Sequence, residues 1–174
     1  DSGFEGTGVL WSVILLTGLG LITHISTRES ERGTFELLKL SSITRYQLFL
    51  GRMAGSLFLL WILSTIITIL YVVLFENQFG NNLSLAYLVV LVGCVGIAAV
   101  GTLAASTATP LHGGWMITSL FSIPILLFTV IEASLRATDS LVTNDSDFQL
   151  AFMLLILYNL AFVTGGAWLS ELSE

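Results

Sequence analysis

Residues able to do chemistry are scarce in this sequence. Its 174 residues hold six Lys or Arg, twelve Asp or Glu, two His and one Cys. Lys39 is the only lysine and follows no glycine-rich phosphate loop. Cys94 stands alone in an apolar run, so no internal disulfide, CxxC pair or CxxCH site can be written. It reads as a small packing residue. His24 and His112 have no neighbours at metal-ligand spacing, and no Ser/His/Asp set exists. The chain is therefore expected to be no enzyme and to bind no cofactor or metal. If ATP drives it, a separate chain must hydrolyse it. Six basic residues cannot form the positive face that nucleic acid requires.

The charges that remain are clustered. Arg28, Arg32, Lys39, Arg45 and Arg52 are five of the six bases, and Glu29, Glu31 and Glu36 lie among them. Within residues 29–40, Phe35 and Leu38 share a side at i, i+3 spacing with Leu37 beside them. Arg32, Glu36 and Lys39 fall largely elsewhere. That pattern predicts a short amphipathic helix lying along a membrane face. Ser41-Ser42 ends it, and Thr44-x-x-Gln47 is a capping-box pattern that opens the next helix. Gly51-x-x-x-Gly55 would let that helix approach a neighbour closely. Two readings fit: an ordinary interfacial loop, or a coupling helix that seats in a cytoplasmic ATPase.

The elements that carry this cluster are apolar. Hydrophobic residues make up 55% of the chain and charged residues 10%, whereas a soluble domain carries about 25% charged residues. So few charges cannot cover a surface in water, which leaves lipid as the solvent. A helical span needs about 20 apolar residues, and five stretches qualify: 8–27, 53–75, 84–108, 113–135 and 149–169. In lipid such runs must be helical to satisfy their own backbone. The predicted fold is all-α, a single integral membrane domain with a short cytoplasmic amphipathic helix between its first two spans.

The basic cluster places that first connection in the cytoplasm. Loops 76–83 and 136–148, with Glu76, Asp139, Asp145 and Asp147, then lie outside. Five spans with an exterior start imply a sixth helix upstream. The chain opens at Asp1 without a basic leader or cleavage site, so no signal peptide is read.

With the order of spans in view, the cluster resembles a known family. Glu31-Arg32-Gly33-Thr34-Phe35-Glu36-Leu37-Leu38, then Leu40-Ser41-x-Ile43 and Leu50-Gly51-Arg52, are similar to the E-x-G-T-L-E-x-L-L-L-S-P-I…L-G-K stretch of ABC-2-type permeases. The resemblance is to the cytochrome c maturation protein B (CcmB) family in particular. It continues in the run from Gly96 to Ala105 and in Ser119–Phe128 around Ile123-Pro124, and covers essentially the whole chain. The sequence departs from the family at Ser42, where a proline is usual, at Phe35 for leucine, and in the His112-Gly113-Gly114 turn.

The resemblance implies a permease subunit of an ABC transporter in the inner, cytoplasmic membrane. It also implies a separate ATPase subunit carrying the ATP, with Glu31, Arg32, Gly33, Thr34, Phe35, Glu36, Leu37 and Leu38 as the coupling interface. Partners would be other cytochrome c maturation membrane proteins, in a homodimer or heteromeric complex, with haem as candidate cargo. His24 and His112 are read as hydrated interfacial groups rather than haem ligands. Two other functions remain open: export of a lipid, drug or other small molecule, and a non-transporting membrane scaffold.

A few residues stand out inside the spans. Glu132 is the one acid near a span's interior, a pathway candidate that could equally snorkel to nearby water at the outer boundary. Pro124 kinks its helix, for packing or for gating. Gly93, Ala98, Gly101 and Ala105 read as close-packing positions. Trp11, Trp115 and Trp168 fall near span ends, where interfacial anchors sit.

Overall fold

A computed structural model describes residues 2–31, 45–75, 79–108, 130–143 and 147–172. Every element among them is helical: α1 (Ser2–Glu31), α2 (Arg45–Leu74), a 3-10 turn (Gly80–Asn82), α3 (Leu83–Ala108), α4 (Glu132–Thr143) and α5 (Phe148–Leu172). Four helices contain spans long and apolar enough to cross a membrane, over Gly6–Ile25, Tyr46–Leu74, Leu83–Ala104 and Phe148–Trp168. Long Val, Ile and Leu runs become helices here because hydrocarbon offers the backbone no other hydrogen-bond partner.

The helix α3 is the hub, packed against α1, α2, α4 and α5. Over half of its span is buried (56%), against 22% for α2 and for α5. The sequence explains the position, because α3 carries the small residues Gly93, Gly96, Ala98, Ala99 and Gly101. A Cβ on Gly93 would strike the Trp11 ring, one on Gly96 would strike Asn159 and Val130, and one on Gly101 would strike Ile22. Trp11, Asn159, Val130 and Ile22 thus approach within van der Waals range of the α3 backbone. In a membrane such dispersion contacts, rather than hydrophobic exclusion, hold helices together.

The rest of the core follows. Leu10, Ile14, Leu60, Val89, Val90, Ile97 and Leu155 are fully buried. Phe58, Ile62, Ile66, Val73, Met153, Leu157 and Leu160 point outward as a lipid-compatible surface. Between α2 and α3 the chain turns at Gly80 with φ +52°, a left-handed conformation that suits glycine. Phe79 tucks against Tyr71 there.

The expected layout needs three corrections. Residues 136–148 were expected to be an exterior loop, yet α4 continues to Thr143. Its charged residues Glu132, Arg136 and Asp139 lie on one face while Ala133, Ser134, Ala137, Thr138 and Leu141 are buried. An apolar-window criterion misses such a helix, because half its surface is polar. Residues 29–31, expected to open an amphipathic helix over 29–40, are instead the end of α1, and residues 32–40 lie outside the described residues. Trp11 is no interfacial anchor but is completely buried. Of the fourth expected span, 113–135, only residues 130–135 are described, and His112, Trp115 and Pro124 lie outside the described residues.

Candidate functional site

The expected coupling interface begins at the end of α1. Glu31 is the last residue of that helix; Arg32, Gly33, Thr34, Phe35, Glu36, Leu37 and Leu38 lie outside the described residues. The helix α2 opens at Arg45, directly after Thr44 of the capping-box pattern. Gly51 and Gly55 sit on the outside of α2 with open space where a Cβ would stand. The close approach expected of them is not made within the described part of the chain. Gly101 behaves as expected, pressed against Ile22.

A polar seam runs between α1, α3, α4 and α5. The Trp11 indole N–H donates to Thr138 Oγ1 at 2.8 Å, joining residues 127 positions apart, and Thr138 Oγ1 donates to the Ser134 carbonyl. The Asn159 amide donates to the Val92 carbonyl at 2.7 Å. From α2, the Trp61 indole donates to the Leu91 carbonyl at 3.1 Å. Two successive carbonyls of α3 therefore receive side-chain bonds from α2 and α5, just before Gly93. Most hydroxyls in the spans bond their own helix, as Thr17, Thr68 and Thr102 do. Ser134 Oγ instead faces Gly93, and neither it nor Asn159 Oδ1 has a hydrogen-bond partner among the described residues.

These contacts place α4 along the bundle. Val130 meets Gly96, Ser134 meets Gly93, Thr138 meets Trp11, and the Leu141 carbonyl accepts from the Asn82 amide at 3.3 Å. The helix α4 thus runs antiparallel to the first half of α3, from its middle to its start. Glu132 was expected at a span boundary. It lies nine residues before Leu141, about 13 Å along the axis at ~1.5 Å per residue. Its carboxylate is half-exposed and pairs with Arg136 at 2.6 Å, one turn away.

Sequence reasoning passed over several of these groups. Asn159 is an amide near the middle of the apolar run of α5, a signal that was available, since intramembrane polar residues are rare. The Trp11–Thr138 bond has no local signature at all. Arg136 was legible only as the one base outside the cluster.

Comparison with known proteins agrees with this architecture. The family described as CcmB protein matches residues 5–169. Among curated proteins, the "Probable multidrug ABC transporter permease YbhR" of Escherichia coli K12 is 24% identical over 121 residues, 69% of this chain and 33% of the relative. The same protein of E. coli O157:H7 matches equally. The chain spans about a third of the length of these relatives. No solved structure matches it significantly.

Proposed function

The chain belongs to the CcmB protein family, and from that premise we propose that it is the membrane-spanning permease subunit of an ABC transporter, in the cytoplasmic membrane. The observation that carries the reading is the family match across nearly the whole chain, together with several membrane-spanning helices. In this reading ATP is bound and hydrolysed by a separate ATPase subunit, and this chain supplies no catalytic residue.

Coupling runs through residues 29–40. Closure of the ATPase pair pushes that segment, and α1 receives the push directly because it is continuous from Ser2 to Glu31. Near its other end α1 holds Trp11, wedged between α3 and α4. Movement of α1 therefore reaches the hub helix and α4 together. A rigid helix whose contacts have two packed arrangements is the usual transmitter of such a shift. The transporter serves haem handling for cytochrome c maturation, as haem export or as ATP-driven release of a haem chaperone. It works as a homodimer or in a heteromeric complex with other maturation proteins. The similarity to a probable multidrug permease favours one second reading, export of a small molecule.

Two measurements test this. Tagged chain purified from native membranes should bring down a protein with a phosphate-binding loop; its absence under mild detergent would end the ABC reading. Deletion should abolish assembly of c-type cytochromes. Normal cytochrome levels, with a copurifying ATPase, would leave the permease and remove the haem role.

A further inference from the structure

The charged face of α4 sits too deep to face lipid. Four independent contacts set its depth. Thr138 bonds Trp11, already five residues inside the apolar span that starts at Gly6. Ser134 meets Gly93, eleventh in the 22-residue span of α3. Val130 meets Gly96, beside Asn159, which is near the middle of the 21-residue span of α5. Leu141 meets Asn82, just before the span of α3 begins. Glu132 lies between the levels of Val130 and Ser134. That is about 13 Å below Leu141, where half a hydrocarbon core is ~15 Å.

At that depth the side chains of Glu132 and Arg136 are 51% and 70% exposed. The two form an ion pair, but a pair that open to hydrocarbon loses most of its solvation, and charged groups in spans normally face water or protein. Snorkelling does not rescue it. Helical side chains lean toward the N-terminus, which in α4 is toward the bilayer centre. Arg136 follows that lean, reaching down a turn to Glu132 rather than up to the surface. Leu135 and Asp139 share the face and are partly exposed.

We propose that the Glu132–Leu135–Arg136–Asp139 face of α4 borders a water-filled cleft. It enters from the end of the bundle that carries Asn82 and Leu141, and reaches close to the bilayer midplane. The cleft belongs to the membrane bundle itself and does not depend on which cargo or ATPase the chain serves.

The test is thiol accessibility in native membranes, in the full chain with the buried Cys94 replaced by alanine. Glu132→Cys and Arg136→Cys should react with a charged, impermeant methanethiosulfonate reagent. Leu135→Cys leaves the ion pair intact and guards against misfolding of the other two. Leu157→Cys is the control, because Leu157 is 58% exposed and nine residues into α5, at the depth of Glu132. A thiol in hydrocarbon stays protonated and unreactive, so the α4 positions should react at least roughly tenfold faster. They should also react from the same side of the membrane as Asn144→Cys. Rates on α4 no faster than at Leu157, or access only from the side opposite Asn144, would overturn the cleft.

Discussion

The bond between Trp11 and Thr138 ties α1 to α4 across 127 positions of sequence. Interhelical hydrogen bonds in membranes average about 0.6 kcal/mol by double-mutant cycles. Trp11→Phe and Thr138→Val should therefore each lower thermal stability in detergent, and the double variant should lose about 0.6 kcal/mol less than their sum. Strictly additive losses would show that the bond contributes nothing. Glycines offer a sharper contrast. Gly96→Ala places a Cβ against Asn159 and Val130, and such overpacking costs roughly 1–3 kcal/mol. Gly20→Ala meets nothing within 4 Å and should leave stability unchanged or raise it, since alanine favours helix by about 1 kcal/mol over glycine. Equal melting of the two variants would contradict the packing of α3.

At the scale of elements, α1 with its extension and α2 are the parts expected to meet other proteins. Apolar anchors at the centre of an interface carry more binding energy than charges at its rim. Phe35→Ala should weaken capture of the ATPase on the order of 2 kcal/mol, and Glu31→Lys less, with a loss that salt diminishes. Unchanged capture with both Phe35→Ala and Glu36→Lys would reduce residues 29–40 to an interfacial loop. Among the described residues, nothing stands within 4 Å of where a Cβ on the outward Gly51 or Gly55 of α2 would lie. If they pack against another subunit, Gly55→Leu should leave the melting of the isolated chain unchanged but reduce its association in native membranes. Intact association would assign that surface to lipid.

For the whole molecule, orientation is the property on which coupling depends. Arg28, Arg32, Lys39, Arg45 and Arg52 all flank the connection between α1 and α2, and basic residues are retained on the cytoplasmic side. Ser41→Cys, in a chain lacking Cys94, should be labelled by impermeant reagents only from the cytoplasm, and Asn144→Cys only from outside. The reverse pattern would remove the coupling segment from reach of any ATPase. It would leave the α4 cleft in place, opening to the other side.

The helical membrane class was legible in the sequence because it follows from local quantities. Runs of about 20 uncharged apolar residues must be helical in lipid whatever they pack against. The five clustered bases, and the Gly-Thr-x-Glu-Leu-Leu stretch that carries the family resemblance, are likewise read one segment at a time. Packing partners are pairwise and distant, and no segment records them. Gly93, Gly96 and Gly101 announce close approach, but only the folded bundle shows that Trp11, Asn159 and Ile22 approach them. Glu132 shows the limit most clearly. The sequence ended its span at 135, because Arg136 and Asp139 raised the polarity, and so placed the acid at a boundary. Tertiary contacts from Ser134 and Thr138 to α3 and α1 carry the helix on to Thr143. A helix takes its level in the bundle from the neighbours it packs against, and those neighbours put Glu132 between the levels of Gly96 and Gly93 of α3.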